Sequence, residues 1–163
     1  MKKFLLLLLT LLLSCTNTGK ITDVDNYYYG NNEGIDFVIL HYELNTQFHP
    51  KLFKNGAPAD LTEADIENIN KILQEAIDNY NNSEKTWKND IDLSKYNRQY
   101  VAILNENGEK EVFVNCFRSE DMKKNGFWKN KLIFVVDGGN KFFNIKINLT
   151  KLFYYDLQVN GYA

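Results

Sequence analysis

The sequence predicts an α+β domain in which one long helix packs on an antiparallel, curved sheet of about five strands. Two observations lead to this prediction. A stretch near the middle of the chain repeats apolar side chains at helical spacing, and the second half alternates apolar and polar side chains over short runs separated by turn residues. A sheet with one apolar face needs a cover, and the helix is the element that can provide it.

The chain begins with two basic residues, Lys2 and Lys3, followed by an apolar run from Phe4 to Leu13. This run is about half of the ~20 residues that a transmembrane helix needs, and such a length is typical of a signal-peptide core. The sequence Leu-Leu-Ser-Cys that ends at Cys15 resembles the lipobox of bacterial lipoproteins. The resemblance implies that residues 1–14 are a signal peptide and that Cys15 carries acyl chains that anchor the protein in a membrane.

A lipid anchor places the protein in the cell envelope. Thr16 stands where, in some bacteria, an aspartate signals retention in the inner membrane, so the resemblance favours the outer membrane of a two-membraned source, facing the periplasm or the surface. With 19 basic and 21 acidic residues, the chain lacks the positive charge typical of nucleic-acid binding, and it has no overall attraction to an anionic bilayer. Anchoring is therefore expected to depend on the acyl chains.

Residues 15–34 are rich in Thr, Asn, Gly and Asp, and this composition predicts a flexible tether after the lipidated Cys15. Three consecutive tyrosines, Tyr27 to Tyr29, interrupt it and are an alternative docking element, either on the domain or on a partner. A strand-like run from Ile35 to Leu44 then opens a single domain that is predicted to span residues 35–163.

The helix is predicted from Leu61 onward. Thr62 is expected to cap its N-terminus with Asp65 in a capping box, and Leu61 can pack on Ile66 as a hydrophobic staple. The apolar face then consists of Ile66, Ile69, Leu73, Ala76, Ile77 and Tyr80. A helix of about eighteen residues at ~1.5 Å each is long enough to cross several strands.

After the helix, the sequence predicts a hairpin of Tyr100 to Leu104 and Glu111 to Phe117, and then three consecutive antiparallel strands. These three are Leu132 to Val136, Phe142 to Leu149 and Phe153 to Val159, with a tight turn at residues 137–140 and with Tyr155, Leu157 and Val159 on one face of the last. Residues 118–130 form the longest connection within the predicted sheet.

This order of elements resembles the cystatin-like architecture, in which a sheet curls around one long helix. The resemblance concerns the fold across residues 35–163 and implies no function. The inhibitory Gln-x-Val-x-Gly loop of cystatins is not reproduced, because Gln158 to Gly161 have a different spacing. The pattern is also similar to small bacterial lipoproteins that end in a related Val-Asn-Gly-x-Ala, a likeness that brings no activity with it.

The sequence predicts no catalytic residue, metal site or cofactor. His41 and Glu43 alternate on one strand and could supply two metal ligands, but no third ligand is evident. Cys116 with His41 or His49 could form a nucleophile pair, yet no orienting motif accompanies it. The turn at residues 137–140 could bind an anion through its backbone, but a hairpin turn explains its glycines fully. We therefore expect a protein that is not an enzyme.

The remaining candidates are aromatic. Trp87, Phe127, Trp128 and Tyr154 are expected to be exposed, and Trp and Tyr are common anchors of interfaces. Several predicted strands carry apolar residues on both faces, so the face that the helix leaves bare is expected to meet a partner, a second copy or the N-terminal segment.

These features favour a non-catalytic module that binds an unidentified protein, as an inhibitor, an immunity protein or an assembly factor. The alternative is a protein that binds a glycan or another small ligand, with Trp87, Trp128 and Phe127 as stacking platforms.

Overall fold

The structure, a computed structural model, describes residues 22–24, 27–32, 34–42, 52–53, 55–84, 90–118, 124 and 126–161. Within these residues the chain forms the predicted α+β fold, with one long helix packed against a sheet. The helix, α1, is Glu63–Asn82. The strands are β1 (Thr22–Val24), β2 (Tyr27–Asn32), β3 (Ile35–Leu40), β4 (Ala57–Pro58), β5 (Asn97–Leu104), β6 (Lys110–Phe117), β7 (Phe142–Asn148) and β8 (Phe153–Val159).

The sheet is open and mixed rather than purely antiparallel. Its main strands lie in the order β1-β2-β3-β5-β6-β7-β8, and the two-residue β4 pairs with the end of β5. β3 and β5 run parallel, with Phe37 beside Arg98, while the other pairs are antiparallel. The parallel pair follows from the connection between the two strands, because the chain passes through α1 and returns to the same end of the sheet.

The predicted start of α1 is confirmed. The backbone N–H of Thr62 donates to Asp65 Oδ2 at 2.9 Å, and the backbone N–H of Asp65 donates to Thr62 Oγ1 at 3.2 Å, so both halves of the capping box are present. Leu61 packs against the same core as Ile66, as the predicted staple requires. The helix buries one stripe against the sheet, namely Ile66, Ile69, Ile72, Leu73, Ala76 and Ile77.

Two apolar cores lie on opposite faces of the sheet. The larger core fills the space between α1 and the sheet, and it includes Tyr100, Val114 and Ile145 from β5, β6 and β7. The second core lies on the face opposite α1, called here the outer face, where Val101 and Phe113 are buried. Because both faces are apolar, the central strands carry nearly continuous runs of buried side chains, which explains why β5 and β6 show little alternation.

The prediction of a strand from Leu132 to Val136 is wrong. These residues are not part of the sheet and cross its outer face instead. Both sides of β7 are already occupied, by β6 and by β8, so the sheet has no free edge beside β7 for another strand. Residues 137–140 are accordingly not a hairpin turn, and they lead into a short 3₁₀ turn, Gly139–Lys141, before β7. Both glycines have positive φ, 91° at Gly138 and 60° at Gly139, a conformation that favours glycine.

The prediction of which β8 side chains share one face is wrong at Tyr155. Tyr154, rather than Tyr155, packs against the helix-side core, together with Leu157 and Val159. The cause is a bulge, since the register with β7 shifts between Asn144 and Lys146 and Asp156 adopts a φ of 56°. A bulge adds one residue and reverses the faces on either side of it.

The predicted tether contains two strands of the sheet. β2 pairs with β3 from Asn32–Ile35 to Tyr27–Leu40, and β1 pairs with β2. The three tyrosines therefore lie within β2, which agrees with the alternative that this stretch docks on the domain. Residues 1–14 and Cys15 lie outside the described residues. Among the residues that the structure does describe, no helix is both long and apolar enough to cross a membrane.

Candidate binding surface

The surface with the strongest binding features is formed by residues 126–137, called here the outer-face segment. It begins at Gly126, whose φ of 67° lies in the left-handed region that favours glycine, and continues in a 3₁₀ turn, Phe127–Lys129. It then crosses the outer face of the sheet, where Leu132 joins the second core.

A buried amide on β5 holds the first half of this segment. The Gln99 side chain is fully buried. Its Nε2 donates to the carbonyl oxygens of Trp128 at 2.6 Å and Lys131 at 2.7 Å, and its Oε1 accepts from the backbone N–H of Ile133 at 2.8 Å. One side chain thus supplies partners for three backbone groups that have no strand neighbour.

Two asparagines extend this support to the second half. Asn115 Nδ2 donates to Gln99 Oε1 at 2.9 Å and to the carbonyl of Ile133 at 2.8 Å. Asn160 Nδ2 donates to the carbonyls of Val135 at 2.5 Å and Asp137 at 2.9 Å. Because the backbone is tied down at several points along its length, the segment has a defined conformation without being a strand.

Trp128 anchors the segment from below, and the expectation that it is exposed is wrong. Its side chain is 1% exposed, and its ring meets the Phe117 ring edge-on with centroids 5.4 Å apart. It lies in the second core together with Leu132. A ring in this position fills space under the segment and cannot stack on a sugar, so the glycan-binding alternative loses Trp128 as a platform.

Three large apolar side chains project from the same segment into solvent. Phe127 is 56% exposed, Phe134 58% and Val136 86%. The exposure of Phe127 is as predicted, while Phe134 and Val136 were expected to lie in a strand. Burial of an apolar side chain is favourable by about 1.5–3 kcal/mol, so three exposed ones on a fixed backbone are typical of a contact surface.

The surroundings of this apolar group are basic. The ammonium of Lys131 lies 5.0 Å from the centroid of the Phe127 ring, and that of Lys129 lies 6.0 Å from the Trp128 ring. In the sequence, residues 118–141 contain six basic and three acidic residues, a formal charge of +3 in a chain whose total is −2. Residues 118–141 are therefore a positive stretch of an otherwise acidic sequence, and the outer-face segment within it contains Lys129, Lys131 and Asp137.

Tyr154, another predicted binding residue, is not part of this surface. Tyr154 is half-buried under α1, and its hydroxyl accepts a hydrogen bond from Asn79 Nδ2 at 3.1 Å, so it joins the helix to β8. Trp87 lies outside the described residues.

Cys116, considered as a nucleophile, also lies apart from this surface, on the helix side of the sheet. It is fully buried, and burial raises the pKa of its thiol to about 12. A thiol in this state is a poor nucleophile at neutral pH. His41 is exposed at the end of β3, whereas Glu43 and His49 lie outside the described residues. Among the residues that the structure describes, no three His, Cys, Asp or Glu side chains are grouped as metal ligands.

The role of the buried amides of Gln99 and Asn115 was not predicted from the sequence. Asn115 interrupts the apolar run Val112 to Phe117, and Gln99 directly precedes the run Tyr100 to Ile103. A polar side chain inside an otherwise buried strand needs a hydrogen-bonding partner, and that was the available signal.

Comparison with protein-family models, with curated proteins and with solved structures found no match for this chain.

Proposed function

We propose that this chain is a lipid-anchored protein of the cell envelope that binds a protein partner through the outer-face segment, without catalysis. The observation that carries the proposal is the exposure of Phe127, Phe134 and Val136 on a backbone fixed by buried amides. A surface that is already ordered loses little conformational entropy on binding, which favours affinity.

The charge of the segment supports a partner with an acidic surface around an apolar centre. Lys131 lies over the exposed ring of Phe127, and Lys129 lies near the ring of Trp128, so basic groups stand beside the apolar anchors as in a polar rim. Complementary charge raises the association rate and weakens with salt. An inhibitor, an immunity protein and an assembly factor all fit this description.

The proposed anchor rests on the residues that end at Cys15. The apolar run of signal-peptide length and the Leu-Leu-Ser-Cys sequence support acylation at this position, in the outer membrane of a two-membraned source. Labelled palmitate should enter the wild-type protein and the Cys116→Ser variant, but not Cys15→Ala. Cys116 is the matched control because it is the other cysteine of the chain and is buried. Equal labelling of Cys15→Ala would contradict the anchor.

The binding proposal is tested by capture of envelope proteins on tagged full-length protein. A partner recovered by the wild type should be lost by at least about tenfold from Phe134→Asp and from Val136→Asp, since a charge then faces the partner's apolar centre. Recovery should also fall with rising salt.

The matched control is Leu152→Asp, which makes the same change at an exposed leucine in the turn between β7 and β8. Leu152 is 57% exposed, much like Phe134. Its φ of 57° suits aspartate at least as well as leucine. A partner that Phe134→Asp and Val136→Asp retain as well as Leu152→Asp does not use the segment, and the proposal would then be wrong.

A further inference from the structure

A cavity of about 270 Å³ lies where the sheet divides beside β5, and none of its described lining residues belongs to the outer-face segment. β3 pairs with β5 only as far as Ile39 beside Tyr100. β4 takes over beside the end of β5, with Pro58 paired to Ile103 and the N–H of Ala59 donating to the carbonyl of Ala102 at 3.2 Å. The cavity is lined by both strands, at the place where one leaves β5 and the other arrives.

The inner wall of this cavity is apolar and small. Ile39 and Ala102 are buried, and Ala59 and Leu61 are half-buried beside them. This volume holds several waters and suits a small molecule. The short side chains of Ala59 and Ala102 leave this space open, because a larger residue at either position would occupy it.

The mouth of the cavity is polar and carries negative charge. His41 and Asp60 are both exposed there. Among the described lining residues Asp60 is the one acidic side chain, and none is Lys or Arg. At the adjacent N-terminus of α1, the N–H groups of Thr62 and Asp65 are already used within the capping box.

We propose that this cavity binds a small amphipathic amine, with its apolar body against Ile39 and Ala102 and its ammonium group at Asp60. The proposal goes beyond the protein-binding function and does not depend on it, because the two sites share no residue. Apolar walls with one convergent charged group are typical of small-ligand sites.

Two probes of similar shape and opposite charge test the proposal on the full-length protein. 2-Phenylethylamine should bind, as detected by saturation-transfer NMR and titration, and 3-phenylpropionate should bind about two- to fivefold more weakly or not at all. Absence of amine binding at millimolar concentration, or equal affinity for both probes, would overturn the proposal.

Variants locate the binding. Ala59→Leu should weaken amine binding by about tenfold or more by filling the cavity, whereas Ala64→Leu, the same change at an exposed site on α1, should leave it unchanged.

Asp60→Asn should remove the preference for the amine, and Glu67→Gln is its control on the exposed face of α1. Asp60 is exposed, so this variant remains decisive even if Ala59→Leu lowers stability. Unchanged amine binding in both Ala59→Leu and Asp60→Asn would show that the probe binds elsewhere.

Discussion

Substitution of Trp128 by alanine is expected to destabilise the whole domain, whereas the same change at its neighbour Phe127 is not. The Trp128 ring is 1% exposed and packs on Phe117 in the second core. At ~25 cal/mol per Å², roughly 200 Å² of buried tryptophan surface corresponds to about 5 kcal/mol. Large-to-small changes at buried tryptophans cost about 3–5 kcal/mol, which agrees with that figure.

Urea unfolding followed by far-UV circular dichroism measures this difference. Trp128→Ala should lower the free energy of unfolding by about 3–5 kcal/mol, and for a chain of this size the melting temperature should fall by roughly 10 °C. Phe127→Ala should cost less than about 1 kcal/mol, because 56% of the side chain is already in water. Trp128→Leu is a milder version that still separates the two residues if the alanine variant does not fold.

The comparison discriminates between a buried anchor and an exposed binding platform. If Trp128 were exposed in a loop, as the sequence suggested, both alanine variants would have similar and small effects on stability. Equal losses, or a loss below about 1 kcal/mol for Trp128→Ala, would refute its placement in the second core.

Three further predictions concern other parts of the fold. Thr62→Ala removes the acceptor for the Asp65 N–H and should lower the unfolding free energy by about 1 kcal/mol, while Thr62→Ser retains it. Burial alone would raise the pKa of Asp65, but hydrogen bonds from Lys110 and Thr62 outweigh burial and hold this pKa below its ordinary value of 3.8. The free energy of unfolding should therefore fall when acid protonates this carboxylate below that pH. Asp65→Asn should flatten that acidic part of the plot of unfolding free energy against pH. Gln99→Leu leaves three backbone groups without their partner and should cost about 1–3 kcal/mol in urea unfolding, with faster proteolysis within residues 126–137. An unchanged unfolding free energy in Thr62→Ala or Gln99→Leu, or an unchanged pH dependence in Asp65→Asn, would contradict the corresponding contact.

Local patterns were sufficient to predict the helix and the hairpin of β5 and β6. The cap of α1 depends on residues three apart, and the turn after Leu104 depends on Gly108, whose φ is 73°. Such features are decided by neighbours in sequence, so a single sequence displays them.

Other elements depend on contacts between distant residues, and the sequence pattern was ambiguous there. Leu132 to Val136 has the composition of a strand, but whether it forms one depends on a free sheet edge, and β7 offers none. The bulge in β8 is set by pairing with β7, because nothing in the sequence around Asp156 distinguishes it from an ordinary alternating residue. β2 has few apolar residues of its own and becomes a strand by pairing with β3.

For a related reason, the exposure of Phe127 was predicted correctly and that of Trp128 was not. Phe127 and Trp128 are adjacent aromatic residues in one loop, and composition treats them alike. In a 3₁₀ turn successive side chains point in different directions, so one faces solvent and the other faces the core. The side chain that faces inward is decided by the space beside Phe117, a residue on β6 that sequence proximity does not bring near.

The outer-face segment covers the outer face of the sheet, and this changes where a partner can bind. The sequence suggested a bare second face, but Trp128 and Leu132 already occupy much of it, so a partner meets the outside of the segment rather than the sheet. Gln99 and Asn115 hold that outside in place without reaching it themselves. Loss of either amide should therefore weaken the proposed binding through disorder of the segment, whereas Phe134→Asp should weaken it at unchanged stability. Loss of a supporting amide alters stability and Phe134→Asp does not. Binding and unfolding measured on the same variants therefore distinguish residues that hold the segment in place from residues that contact the partner.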